Sequence, residues 1–146
     1  MMNSKKSKKT EVFSFDCNIY PRMLWVATSF GELKQFVRSY DDGTEETLDK
    51  IDDNNAAAIT DHIFMPSIDR GGVIIRFRSK KDMTPDVVAH EATHAAIMIF
   101  DYCGCRISPD NQEPFAYLVG WIVECCMKAK KDTGGVNNET STTEEV

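Results

Sequence analysis

Apolar side chains recur along this chain with a period of two in some stretches and about 3.6 in others, and the change of period marks out strands and helices. Order is expected to begin at Val12-Phe13-Ser14-Phe15. After Tyr20-Pro21, the run Met23-Leu24-Trp25-Val26-Ala27 has the aromatic and aliphatic content of a first substantial strand. Ser29-Phe30-Gly31-Glu32 has the S-x-x-E form of a capping box. Leu33, Phe36, Val37 and Tyr40 then follow i, i+3, i+4, i+7, which predicts an amphipathic helix packed on the sheet. Asp41-Asp42-Gly43 ends that element, and the acidic segment through Asn55 is expected to be a loop. A second strand is expected from Ala57 to Met65, followed by a turn from Pro66 to Gly72. In Val73-Ile74-Ile75-Arg76-Phe77-Arg78 the alternation puts Val73, Ile75 and Phe77 on one face and Ile74, Arg76 and Arg78 on the other. That pattern suits an exposed sheet edge, open either to strand addition by a peptide or to plain hairpin scaffolding.

Two helices should follow. Thr84-Pro85-Asp86 combines a cap residue, a proline at the first helical position and an acid at the positive end of the dipole. Val88, Ala92, Ala95 and Ile99 give the helix an apolar back, and Gly104 is placed to end it as the C′ residue. The second helix is read from near Asn111 to about Lys130. Together these elements predict an α+β fold in which a small mixed or antiparallel sheet packs against the two helices. One domain over residues 12–130 is expected between a basic tail, 1–11, and a polar tail, 131–146.

Composition narrows the function more than the fold. At 146 residues with a formal charge of −6, the chain is one domain in size and too acidic overall for general nucleic-acid binding. The exception is local: Lys5, Lys6, Lys8 and Lys9 crowd the start, where they form either a solvated tail or an arm for nucleic acid. There is no apolar run of about 18 residues to cross a membrane and no apolar core of a signal peptide, so a cytoplasmic protein is expected. Cys17, Cys103, Cys105, Cys125 and Cys126 are odd in number and include an adjacent pair. They read as reduced thiols, not as a disulfide framework or a paired C-x-x-C zinc site.

The chemistry is concentrated in His90-Glu91-Ala92-Thr93-His94, an H-E-x-x-H motif on the first predicted helix. Four-residue spacing turns both imidazoles to one helix face, where a divalent cation can bridge them. Glu91 lies roughly 100° round the helix from His90 and can reach a water at the same site, the position of a general base. Apart from Thr93, these three residues are the only polar groups between Val87 and Phe100, and burying them without partners would cost several kcal/mol.

A catalytic zinc site needs a third protein ligand and an open fourth position. On the second helix, Glu113, Tyr117, Gly120 and Glu124 share one face, and Gly120 would allow close approach to the motif helix. His62 is a further candidate ligand, weighed against a satisfied structural histidine on an apolar strand. Ile97 and Phe100 stand where a metzincin would need a glycine and a ligand, and Cys17 lacks the glycine-containing surroundings of the peptide deformylase cysteine.

H-E-x-x-H followed by a glutamate on the next helix resembles the gluzincin metallopeptidases. The segment from His90 to Trp121, with Glu113-Pro114-Phe115-Ala116-Tyr117-Leu118-Val119-Gly120, is similar to small metallopeptidases of bacteriophages and prophages. The resemblance covers roughly residues 20–130 and is sharp over about thirty. It implies a zincin-like fold, one Zn2+ ion held by His90, His94 and Glu113, and Glu91 as base and proton shuttle. It further implies a peptide or protein substrate in the cytosol of a bacterial host. Tyr117 stands where thermolysin-like gluzincins have an aspartate, and it is read either as a catalytic hydrogen-bonding group, steadying a ligand or the oxyanion, or as a core aromatic. The competing expectation is a zincin-fold binding or regulatory module without significant catalysis.

Overall fold

The structure, a computed structural model, describes residues 10–132. Most of the expected tails, including the lysine-rich start and the polar end, lie outside the described residues. The fold is α+β: six strands form one mixed sheet, and two 19-residue helices follow them. The strands are β1 (Val12–Asp16), β2 (Met23–Ala27), β3 (Leu33–Ser39), β4 (Glu45–Leu48), β5 (Ala58–Met65) and β6 (Arg70–Phe77), and the helices are α1 (Pro85–Cys103) and α2 (Glu113–Lys131). In the sheet they run in the order β1-β2-β6-β5-β3-β4, with β2 and β6 parallel and the other pairs antiparallel.

Three expectations are corrected. The segment read as an amphipathic helix from Ser29 to Tyr40 is strand β3. Its register against β4 shifts between Leu33, opposite Leu48, and Val37, opposite Thr47. The irregularity puts Leu33 and Phe36, three residues apart, on one buried side, which imitates a helical period. Ser29 caps no helix; its hydroxyl donates to Thr10 Oγ1 at 2.9 Å. The acidic segment is not all loop either, because Glu45–Leu48 pairs with β3 and is anchored by buried Leu48. The chain reverses at Gly43, whose φ of +87° suits glycine, and Asp42 accepts hydrogen bonds from the Thr44 amide and hydroxyl.

The third correction concerns β6. It is no edge: β2 lies on one side and β5 on the other, and Val73 through Phe77 are all buried. Strand addition to β6 is therefore excluded. Arg76, which made the strand look half wet, is buried between an ion pair with Asp61 (3.6 Å) and the Asp49 carbonyl, to which its Nη1 donates at 2.9 Å. Asp61 also pairs with Arg38 at 2.8 Å.

Both faces of the sheet are covered. Leu24, Val26, Val73, Ile75 and Phe77 meet Val88, Ala92, Ala95, Ile99, Leu118, Ile122 and Cys126 of the helices. On the reverse face Trp25, Ile63 and Ile74 pack with Leu33, Phe36 and Leu48. Trp25 and Phe36 have ring centroids 5.0 Å apart although β6 and β5 separate their strands. At roughly 4.8 Å per strand step a flat sheet would hold them about 14 Å apart, so the β3–β4 end curls back over the sheet.

The helices run antiparallel. Phe115 near the start of α2 meets Phe100 near the end of α1 at 5.4 Å, and Lys130 at the other end donates to the Met83 carbonyl at 2.9 Å. No helix among the described residues is long and apolar enough to cross a membrane.

Candidate metal centre

The boundaries of α1 follow from its sequence. Pro85 takes the first helical position, and Thr84 precedes it in extended conformation, its hydroxyl donating to Asp86 Oδ1 at 2.6 Å instead of capping a backbone amide. At the far end Gly104 is left-handed, with φ +72°; its amide donates to the Asp101 carbonyl, and the Cys105 amide donates to that of Phe100. That pair of bonds is a Schellman motif, and it satisfies carbonyls the helix would otherwise leave open. The buried back consists of Val88, Ala92, Ala95, Ala96, Ile99 and Phe100.

On the opposite face His90 and His94 are exposed, and their Nε2 atoms lie 3.1 Å apart, the rings inclined at 75°. Glu91 is buried, 7 % exposed. Its Oε1 accepts the Thr60 hydroxyl at 2.8 Å, and its Oε2 is 3.7 Å from His90 Nε2. Donor atoms of His90, Glu91 and His94 all lie within 4.8 Å of one another, which makes them the one such group among the described residues.

The spacing of the two imidazoles suits a metal ion such as zinc. Two nitrogens bonded to one zinc at about 2.0–2.1 Å in tetrahedral arrangement stand about 3.3 Å apart, close to the observed spacing. Beside the group an open depression of about 360 Å³ is bounded by Ala57, Ala58, Asp86, Val87, His90 and Glu91. The charge of Glu91 is felt beneath it: burial first, and then this carboxylate, pushes the Cys126 thiol up to about 12. All five cysteines are free.

The remaining candidates lie elsewhere. Glu113 is exposed at the start of α2 and is not in the His–Glu–His group. With Tyr117, Gly120, Trp121 and Glu124 it borders a shallow surface depression. Tyr117 is 74 % exposed, so it is not a core aromatic. Gly120 mediates no close approach, because a Cβ built there meets nothing within 4 Å. Glu124 is paired on its own helix with Lys128 at 3.4 Å. The face of α2 that turns inward carries Leu118, Ile122, Cys125 and Ala129, on the side of the helix opposite Glu113, and that apolar stripe is visible in the sequence. His62 is largely exposed on β5 and outside the group; partial desolvation by its neighbours, and then the charge of Arg22, lowers its pKa, while Asp101 and Asp61 act the other way. Sequence reasoning missed Thr60, which lies 31 positions before Glu91 and belongs to no motif.

No family model, no curated protein and no solved structure matches this chain.

Proposed function

We propose that this chain is a zinc-dependent metallopeptidase of zincin type, a hydrolase that cleaves peptide bonds with water. The observation that supports it most is the convergence of the His90 and His94 Nε2 atoms on one point beside a buried glutamate held from behind by Thr60. His90 and His94 would hold the zinc ion, which would supply Lewis acidity toward a carbonyl and water. The proton work belongs to Glu91. With Oε1 engaged by Thr60, its Oε2 is placed to take a proton from water and return it to the leaving amine. The resemblance to gluzincins assigns Glu113 the third ligand position, whereas here Glu113 lies outside the cluster, on the side of α2 opposite its inward face, so the zinc measurements below are left to identify the third ligand. Also part of the proposal are the phage or prophage origin, a peptide or protein substrate and the host cytosol, whose reducing conditions suit five free cysteines.

A second reading, a metal-holding binding module without significant catalysis, draws on the place of Glu113 outside the cluster, which leaves two imidazoles where catalytic zinc uses three protein ligands. One set of measurements separates them. Zinc content is determined for the parent, His94→Ala and Glu113→Ala, and peptide hydrolysis for the parent and Glu91→Gln. The metallopeptidase reading expects about one zinc per chain in the parent, its loss in His94→Ala, and a Glu91→Gln protein that keeps zinc but does not cleave. Loss of zinc in Glu113→Ala assigns the third ligand, and retention places it elsewhere. A zinc-loaded parent no more active than Glu91→Gln favours the binding module, and a parent without zinc refutes both.

A further inference from the structure

The depression beside the His–Glu–His group has a small apolar wall, Ala57, Ala58 and Val87, and is acidic at two points, Asp86 and Glu91. Asp86 precedes His90 by one helical turn, about 6 Å along the axis of α1. Asp86 is exposed, whereas Glu91 is buried. Each carboxylate has one oxygen engaged by a threonine: Asp86 Oδ1 accepts the Thr84 hydroxyl at 2.6 Å, and Glu91 Oε1 accepts that of Thr60 at 2.8 Å. Neither forms an ion pair with a lysine or arginine among the described residues. The Thr84 hydroxyl first, and then the Asp86 amide, hold the Asp86 carboxyl below the usual carboxylate range, so it is charged at neutral pH.

We infer that this depression recognises a protonated amine of the peptide substrate, with Asp86 as the residue that selects it. The inference rests on the metallopeptidase reading of the adjoining metal centre and deepens it by naming a substrate class. With one oxygen of each carboxylate already engaged, a compact ammonium fits better than a guanidinium, whose planar fork pairs with both oxygens of a single carboxylate. Ala57, Ala58 and Val87 offer an alkyl stem an apolar surface to lie on while its charged end meets Asp86. The same two carboxylates repel an acidic side chain, so they select against glutamate at that position as well as for an amine. A lysine side chain and the N-terminus of a peptide both present an alkylammonium, and the arms of the test separate these two sources.

The test uses the full chain and a set of short alanine peptides: N-acetylated with one central lysine, norleucine or glutamate, and one with a free N-terminus and no lysine. Their Kd values are measured by calorimetry on the zinc-free chain, where nothing is hydrolysed, and kcat/KM on the zinc-loaded chain, with folding checked by circular dichroism. A peptide with an amine is expected to bind about fivefold more tightly than the norleucine peptide, the glutamate peptide most weakly, and kcat/KM to follow the same order. Preference for the lysine peptide assigns the side chain, and preference for the free N-terminus assigns the α-amine. Asp86→Asn should bring the ratio of amine to norleucine peptide within about twofold, and Asp86→Glu should keep it. A purely structural acid at the start of α1 would alter Tm without moving that ratio. Equal affinities across the set, or a preference that survives in Asp86→Asn, overturns the inference. Should Asp86→Asn fail to fold, the parent decides: acetylating the preferred amine should abolish the preference, and a preference that persists refutes it. A parent that holds no zinc or cleaves nothing overturns the metallopeptidase reading while the zinc-free Kd values still decide this one, and cleavage without amine preference overturns this inference alone.

Discussion

Replacing Asp61 by alanine is expected to cost about 3 kcal/mol of stability, and the estimate can be worked from the surroundings of Arg76. The Arg76 side chain is 4 % exposed in the middle of the sheet, and the Asp61 carboxylate, 22 % exposed, stands 3.6 Å from it and 2.8 Å from Arg38. Removing one partner of a buried ion pair costs about 3–5 kcal/mol because the other charge stays behind. The partial exposure of Asp61 and the surviving bond from Arg76 to the Asp49 carbonyl favour the low end of that range. For a fold of this size the loss corresponds to a fall in Tm of about 10 °C. Urea denaturation followed by circular dichroism, with an unchanged m-value, measures it directly. Combining Asp61→Ala with Arg76→Met removes the stranded charge and should recover at least about half of the loss. An Asp61→Ala protein within about 0.5 kcal/mol of the parent would falsify the reasoning that Asp61 is what allows an arginine in the central strand.

Two glycines should respond in opposite directions to alanine. Gly120→Ala, with open space around it in the middle of α2, should stabilise by about 0.5–1 kcal/mol, read as a rise in Tm. Gly72→Ala places a Cβ 1.9 Å from the Met23 carbonyl oxygen inside the β2–β6 pair and should cost at least about 3 kcal/mol or prevent folding. Exposed Cys105 should react first with a thiol reagent, while Cys17, Cys125 and Cys126 stay protected until urea unfolds the chain. Burial raises those three thiols above the ordinary thiol value of 9.0, Cys17 and Cys126 to about 12. Above pH 9 the unfolded chain ionises them and the folded chain does not, so their contribution to stability is lost as pH rises from about 9 to 12. Melts at pH 8 and pH 10.5 should show that fall, and Cys126→Ala should reduce it.

What could be read from the chain was local chemistry. The Thr84-Pro85 start, the Gly104 end and the apolar back of α1 lie within one helix and needed no knowledge of distant partners. The same holds for β2 and for β5, whose boundaries follow from aromatic and aliphatic content. Residues with distant partners misled. Leu33 and Phe36 share a side because of the irregular pairing with β4, and Arg76 is buried because Asp61 and Asp49 satisfy it. Glu113 stands out by its distance along the chain and by the gluzincin resemblance, whereas the side of α2 turned inward is set by Leu118, Ile122, Cys125 and Ala129. Thr60 had no local mark at all, because its partner is 31 residues away on another element.

The hairpin of β5 and β6 reverses through a single 3₁₀ turn at Pro66–Ile68, and its eight residue pairs run in unbroken register. The groups of the candidate centre all lie on that hairpin and the helix that follows it, from Thr60 to His94. The parallel partner of β6, by contrast, must return from Met23–Ala27, far upstream. Closing a long loop costs more entropy than closing a short one, and non-local pairing slows folding. The order of assembly follows: the hairpin and α1 can meet, and bring Thr60 to Glu91, before β2 docks, so a cation could be captured by a partly folded chain and draw the remaining strands into place.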